Sequence, residues 1–448
     1  MHHDAHRMKN LAPMALAAAL GLSVVLVTLI GVTADPGASS GATPSGRDPY
    51  DDGLIGQITT QTLMHDLAGL SGRRPVTVAG SPYTISTRNT QRAEAVSMTT
   101  RYAYEQLASC GLRTAYHGYT FFGQPRRNVV AEKPGRLAPE EIYLLTAHID
   151  DLPRGPIAPG ADDNGSGSVA VMRAGCLLAG EHFAHTIRFV LFTGEEQGLR
   201  GSDAYAADCS ARGETIAGVI NLDMIGYSTG EPVFDVYARS GDDPGASGSR
   251  QLAAIFSETV AAYDLNLIPR RLVMSDGIIE LSDQWSFLQE GYPAILVIED
   301  VQGDFNPYYH TTSDTVDVVN ASYMADLSRA AVAAIVGLGE RLPSGVLSGR
   351  LRTADSGAPA GVTVTAEEPA YRGLFTATTS AGGTYSATLP VGSYTLTVRS
   401  GDPRYTTVVT RAVILTDTVT RLDVRLPEGE PLYLPWIVAP RRSGSLAD

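Results

Sequence analysis

Residues 187–202 read IRFVLFTGEEQGLRGS. Ile187 to Phe192 is a short, largely apolar run rich in β-formers, which predicts a strand buried on both faces. Glu195 and Glu196 follow at once, and a helical pattern takes over from Arg200 to residue 210. Strand, loop and helix in that order make one α/β unit, and such units recur along the chain. Apolar runs at Asn128–Ala131, Ile142–Ala147, Ile216–Leu222 and Ala294–Val297 predict further buried strands. Helical patterns lie at 91–112, ending at Gly111, and at 166–180, 248–263 and 320–340. Over residues 50–343 this alternation predicts an α/β fold, a three-layer sandwich with a mixed, mostly parallel central sheet.

Beyond Pro343 the texture changes. Residues 346–427 are rich in Thr, Val, Gly and Tyr and alternate in VTVTAE, TYSATL, YTLTVR and TRLDVRL, which predicts a small C-terminal β-sandwich. The tail, 428–448, contains PLYLPWIVAPRR and is assigned no activity. At the other end, Arg7 and Lys9 precede a stretch, 11–32, with no charge, and Val32-Thr33-Ala34 supplies small residues before Asp35-Pro36. A basic start, an apolar run and a small-residue exit describe an export signal over residues 1–34. The run is also long enough to cross a bilayer, so an uncleaved membrane anchor through residues 11–32 is the rival reading. Either places the rest of the chain outside the cytoplasm, extracellular or at the cell surface. Residues 35–49 read as a linker.

With 448 residues, 44% of them hydrophobic and 18% charged, the chain can bury two or three cores, which excludes a wholly disordered protein. Lys and Arg total 34 against 48 Asp and Glu, a formal charge of −14, and a surface this acidic repels phosphate backbones. No nucleic acid partner is expected. Cys110, Cys176 and Cys209 fit neither CxxC nor zinc-finger spacing. Three small buried apolar side chains, or one bridge with a thiol left over, both remain open.

The chemistry gathers at strand ends. His148 and Asp150 close the run YLLTA. Asp163 lies in a Gly-rich loop that opens a helix, Glu195 and Glu196 follow FVLFTG, Asp223 closes VINL, and His310 sits in the polar loop YYHTTSDT. Alone, each is ordinary: a strand-end Asp caps a turn and a loop His is solvated. Together, two His with several carboxylates at the C-terminal edge of an open sheet make the ligand mix that suits zinc or a similar divalent ion. Two adjacent carboxylates behind an apolar strand repel each other unless a cation offsets them.

HID (148–150), APGADDNGSG (158–167), FTGEEQGLRGS (192–202), NLDMIGY (221–227) and YYHTTSDT (308–315), in that order, resemble the zinc-dependent exopeptidase family of the bacterial leucyl aminopeptidases. That family also holds glutamate carboxypeptidases, glutaminyl cyclases and transferrin-receptor ectodomains. The resemblance spans roughly residues 55–340, and residues 346–427 resemble carboxypeptidase regulatory-like (transthyretin-like) repeats. It implies two Zn2+ ions, with Co2+ or Mn2+ as alternatives, that share Asp163. His148 and Asp223 would complete one ion, Glu196 and His310 the other. Asp150 would orient His148, and Glu195 would be the general base for hydrolysing the first residue of a peptide with a free N-terminus.

Two positions depart from the family pattern. Many relatives have His in the motif SDH-x-x-F, where this chain has Gln284. Aminopeptidases close to the bacterial prototype place a Tyr just ahead of it to steady the oxyanion. Here the stretch is Ile278-Ile279-Glu280-Leu281, which leaves Tyr308 and Tyr309 as candidate donors. Glutaminyl cyclase or carboxypeptidase chemistry on the same frame, or a non-catalytic binding or adhesion protein, are the competing expectations.

Overall fold

The computed structural model describes residues 49–152, 157–275, 277–355, 357–429, 432–433 and 440–442. The expected export segment, nearly all of the linker and most of the tail lie outside the described residues. Eight strands form one sheet: β1 (Arg113–Phe121), β2 (Gln124–Lys133), β3 (Ala138–His148), β4 (His185–Phe192), β5 (Thr215–Leu222), β6 (Val233–Arg239), β7 (Ile268–Met274) and β8 (Ala294–Glu299). Their order is β1-β2-β4-β3-β5-β8-β6-β7. The middle four, β4-β3-β5-β8, are parallel. β1, β2 and β4 pair antiparallel, and β6 runs antiparallel to β8 but parallel to β7.

Successive side chains of a strand face opposite sides, so β4 feeds two cores. Phe189 and Leu191 share one core with Leu63, Leu107, Phe256 and Leu327 from α2 (Thr60–Leu70), α3 (Ala93–Ser109), α6 (Pro244–Ala262) and α8 (Ala321–Leu338). Val190 and Phe192 meet Tyr205 of α5 (Arg200–Ala211) and Phe287 of α7 (Gln284–Gln289). The result is the expected three-layer α/β sandwich. Chain-local signals set the helix ends. Asp243 caps α6 by accepting from the Ala246 N–H at 3.0 Å, with Pro244 at the first helical position. After α3, Gly111 takes φ +91°, the left-handed conformation that stops a helix.

β1, β6 and β7 are absent from the sequence reading, for identifiable reasons. β1 and β7 lie at the sheet edges and are half-exposed, so they carry no continuous apolar run. β6 is buried, but Asp235 interrupts it. That carboxylate is satisfied by Arg270 Nε at 2.6 Å and the Tyr237 hydroxyl at 3.1 Å. A disulfide joins Cys110 at the end of α3 to Cys176 in α4 (Gly167–Leu178), and Cys209 is a buried free thiol.

From Ser344 the chain builds two further sheets around a separate core that includes Leu347, Val364, Leu389, Tyr394, Leu396 and Val408. This β-sandwich meets the α/β part at the edge where β3 and β4 begin. The Arg136 guanidinium donates to the Arg372 carbonyl at 3.0 Å and lies 4.3 Å from the Phe375 ring centre. His182 donates from Nε2 to the Thr388 carbonyl at 2.9 Å and meets the Phe375 ring edge-on at 5.1 Å. Phe375→Ala should therefore lower stability by about 3–5 kcal/mol in a denaturant titration of the full chain. An unchanged midpoint would mean that the Phe375 ring supports neither the sandwich core nor its seam with the α/β part.

Candidate metal centre

Three adjacent parallel strands deliver their C-terminal ends to one place. β3 ends at His148, β4 is followed by Gly194-Glu195-Glu196, and β5 by Asp223. Asp163 enters from the loop that opens α4, and His310 from the loop between β8 and α8. His148 Nε2 lies 3.1 Å from Asp223 Oδ1 and 3.5 Å from Asp163 Oδ1. His310 Nε2 lies 2.9 Å from Glu196 Oε2 and 3.3 Å from Asp163 Oδ2. Asp163 thus turns one oxygen to each imidazole. His148, Glu195 and Glu196 also offer atoms within 4.8 Å of one another, which places Glu195 against both groups.

The donor set fits divalent cations. His148 Nδ1 donates to the Asp150 carbonyl at 3.1 Å, so its Nε2 lone pair faces two carboxylates. Only a proton or a cation can sit comfortably between them. Around the second group, Asp163 Oδ2, Glu196 Oε1 and His310 Nε2 are buried with no hydrogen-bond partner among the described residues. Without a cation the electrostatics are costly. Burial first, then Glu196, pushes Asp163 well above the usual carboxylate range. Glu195 rises likewise, through burial and its neighbours Glu196, Asp223 and Asp283. Burial alone would lower His148, but Asp223, Glu195 and Asp163 outweigh it and hold its pKa well above the ordinary imidazole value.

Asp150 was expected to hold His148 and fix its tautomer. Its backbone carbonyl takes the Nδ1 proton. The nearest carboxylate oxygen is 4.0 Å from Nδ1, and the other accepts the Gly194 N–H at 2.9 Å. Asp150 thereby anchors the loop that presents Glu195. Gly194 has φ +73°, and a Cβ there would stand 2.6 Å from the Tyr119 hydroxyl, so this turn favours glycine. His310, at φ +55°, is a non-glycine residue in the left-handed region, a strain typical of functional loops.

Several supporting residues escaped sequence reasoning. The Ser282 hydroxyl donates to Asp223 Oδ2 at 2.6 Å and receives a bond from Asn221 Nδ2 at 2.9 Å. Asn164 ties the Asp163 loop to β5, donating to the Leu222 carbonyl at 2.8 Å and accepting from Gly167 at 3.0 Å. Gln284, which stands where relatives carry His, is fully buried. It bonds the Ile279 carbonyl at 2.6 Å and Asn221 at 3.2 Å, so it holds strand to loop. Ile279, in place of the expected Tyr, is core. Tyr309 stacks on His310 with ring centres 3.7 Å apart. Burial, then the charges of Asp163, Glu196, Glu195 and Asp223, keeps its hydroxyl protonated. Gln284 and Tyr309 were singled out in the sequence, whereas Ser282 and Asn164 stood unremarked beside the site residues, and only folding reveals their partners.

Residues 128–335 match Peptidase family M28. Among similar proteins, a probable leucine aminopeptidase 1 of Trichophyton verrucosum is 33% identical over 214 residues, covering 45% of this chain and 55% of that protein. Leucine aminopeptidase 1 of Arthroderma otae is 32% identical over 218 residues, covering 44% and 54%. The chain thus spans little more than half the length of these curated relatives. In fold, it is similar to the LapA aminopeptidase of Legionella pneumophila, with TM-score 0.54, 20% identity, and coverage of 67% of this chain and 78% of that one. The stretch of this chain that is similar to Peptidase family M28 takes in every residue of the candidate centre, from His148 to His310.

Proposed function

We propose that this protein is an exported metallo-aminopeptidase that holds two divalent cations, zinc in the first instance, and removes the N-terminal residue of peptides. The observation that carries the reading is Asp163, whose two carboxylate oxygens face two separate imidazole–carboxylate pairs. His148, Asp163 and Asp223 would hold one cation, and Asp163, Glu196 and His310 the other. When bound, such a pair polarises a carbonyl and lowers the pKa of a water molecule. Glu195 then serves as the base. It lies against both groups, where it would take a proton from the attacking water and return it to the leaving amine. The cationic α-amino group of a free N-terminus is drawn into the surrounding carboxylates, whereas a blocked terminus is not. Tyr309, protonated beside the centre, supplies the donor that Ile279 lacks. The Cys110–Cys176 disulfide supports export, since such bridges persist in oxidising compartments.

Glu195→Gln should reduce hydrolysis of aminoacyl-arylamides by about 10²–10⁴-fold while leaving zinc content unchanged. Full activity in that variant would remove Glu195 from the base role. Tyr309→Phe should lower kcat by about 100-fold with little change in KM, measured on the same substrates. An unaltered kcat would move the oxyanion donor elsewhere. A chelator should abolish activity and zinc restore it.

Zinc uptake should also depend on pH in a defined direction. Asp163, Glu195 and His148 all have raised pKa values in the cation-free fold, so the folded state binds more protons than the unfolded one. Stability of the chelated protein is then lost as pH rises above the ordinary carboxylate value of about 4. The zinc-induced gain in thermal midpoint should therefore grow between about pH 5 and pH 8. A gain that shrinks over that interval would contradict the site.

A further inference from the structure

An Asp side chain is short, so the position of the Asp163 carboxylate is set by the backbone of residues 160–163. That backbone is gripped from both sides by buried polar side chains. On its carbonyl side lies Arg88, fully buried. Its Nε donates to the Ile149 carbonyl at 2.8 Å, Nη1 to Pro159 at 2.6 Å, and Nη2 to Gly160 at 2.7 Å and Asp163 at 3.4 Å. Ile149 lies between His148 and Asp150, so one guanidinium joins the chain of the first histidine to the chain of Asp163. On the amide side lies Asp314, also buried. Its carboxylate accepts the Asp162 N–H at 3.1 Å and the Asp163 N–H at 2.9 Å. Asp314 follows His310 by four residues, so it joins the second histidine's loop to the same segment.

We propose that Arg88 and Asp314 form a clamp whose task is to hold the Asp163 carboxylate between the two halves of the centre; the inference rests on the reading of Asp163 as a shared ligand. Neither residue touches the ligand side chains, so both are positioning residues. A guanidinium taken wholly out of water is expensive, and replacing it by an apolar strut would be the cheaper way merely to fill space. Here all four of its hydrogen bonds end on backbone carbonyls, three of them in the loop at Pro159, Gly160 and Asp163. The carboxylates of Asp151, Asp314, Asp163 and Asp150 offset part of the burial penalty. Gly160 completes the device. At φ +44°, a Cβ there would stand 2.2 Å from the Asp163 carbonyl oxygen, 2.5 Å from Asp151 Oδ2 and 2.7 Å from Arg88 Nη2.

The test uses the full chain carrying Arg88→Lys or Asp314→Asn. Zinc affinity is read by chelator competition, and the cobalt-substituted protein by ion stoichiometry and visible absorption. The clamp predicts folded variants whose zinc affinity falls by about 10–100-fold and whose cobalt spectrum changes, as for residues that orient metal ligands. Wild-type affinity and spectrum in a variant of lowered thermal midpoint would overturn it, leaving Arg88 and Asp314 as struts. Should Arg88→Lys fail to fold, Asp314→Asn decides alone. A wild-type chain that binds no metal would sink the metal reading and the clamp with it. One that binds two ions but cleaves no peptide would sink the peptidase reading, and the clamp would still stand or fall on affinity and spectrum.

Discussion

Asp163, Glu195, Glu196 and Asp223 converge on two imidazoles in a largely buried space. Carboxylates at such separations repel strongly once water is excluded, because the screening that water provides is lost. The protein meets this repulsion with structure. The Ser282 hydroxyl takes one oxygen of Asp223 and the Gly194 amide one oxygen of Asp150, while Asp163 turns an oxygen towards each imidazole. An arrangement of this kind is stable only with positive charge in its middle. The proposed pair of cations answers that requirement, and the raised proton affinity of Asp163 and Glu195 is the form the same requirement takes without them.

The sheet is the instrument that produces the convergence. Because β4, β3 and β5 are parallel neighbours, their C-terminal ends bring Glu195, His148 and Asp223 side by side without long loops. Asp163 and His310 arrive on loops: Asn164 ties the first to the end of β5, and Asn306 and Asp314 tie the second to the end of β8 and to the Asp163 loop. The β-sandwich sits at the opposite edge, against Arg136 and His182, a full strand length from the centre. Its contacts there tie the sandwich to the segments that lead into β3 and β4.

The two departures from the family pattern read differently once packed. Gln284 lies in the core with both ends of its amide engaged. Its exchange for His is thus a change of internal scaffolding. Ile279 is equally buried, so the missing hydroxyl is a true absence at that position. The aromatic ring stacked on His310 stands on the other side of the centre, where its hydroxyl shares the field of the same four acids.

Sequence periodicity alone determined the five most apolar strands, the main helices and the α/β alternation, since each is a local consequence of burial on one or two faces. Strand-end motifs likewise supplied His148, Asp163, Glu195, Glu196, Asp223 and His310. Edge strands β1 and β7 stayed hidden because half-exposed strands need no continuous apolar run, and β6 because Asp235 finds its partners only across the fold. The pairing of Cys110 with Cys176, the use of the Asp150 carbonyl in place of its carboxylate, and the gathering of Arg88 and Asp314 around one loop were equally invisible. Each depends on residues 60 or more positions apart meeting, or on which of two oxygens a backbone turns inward, and neither is written in any local pattern.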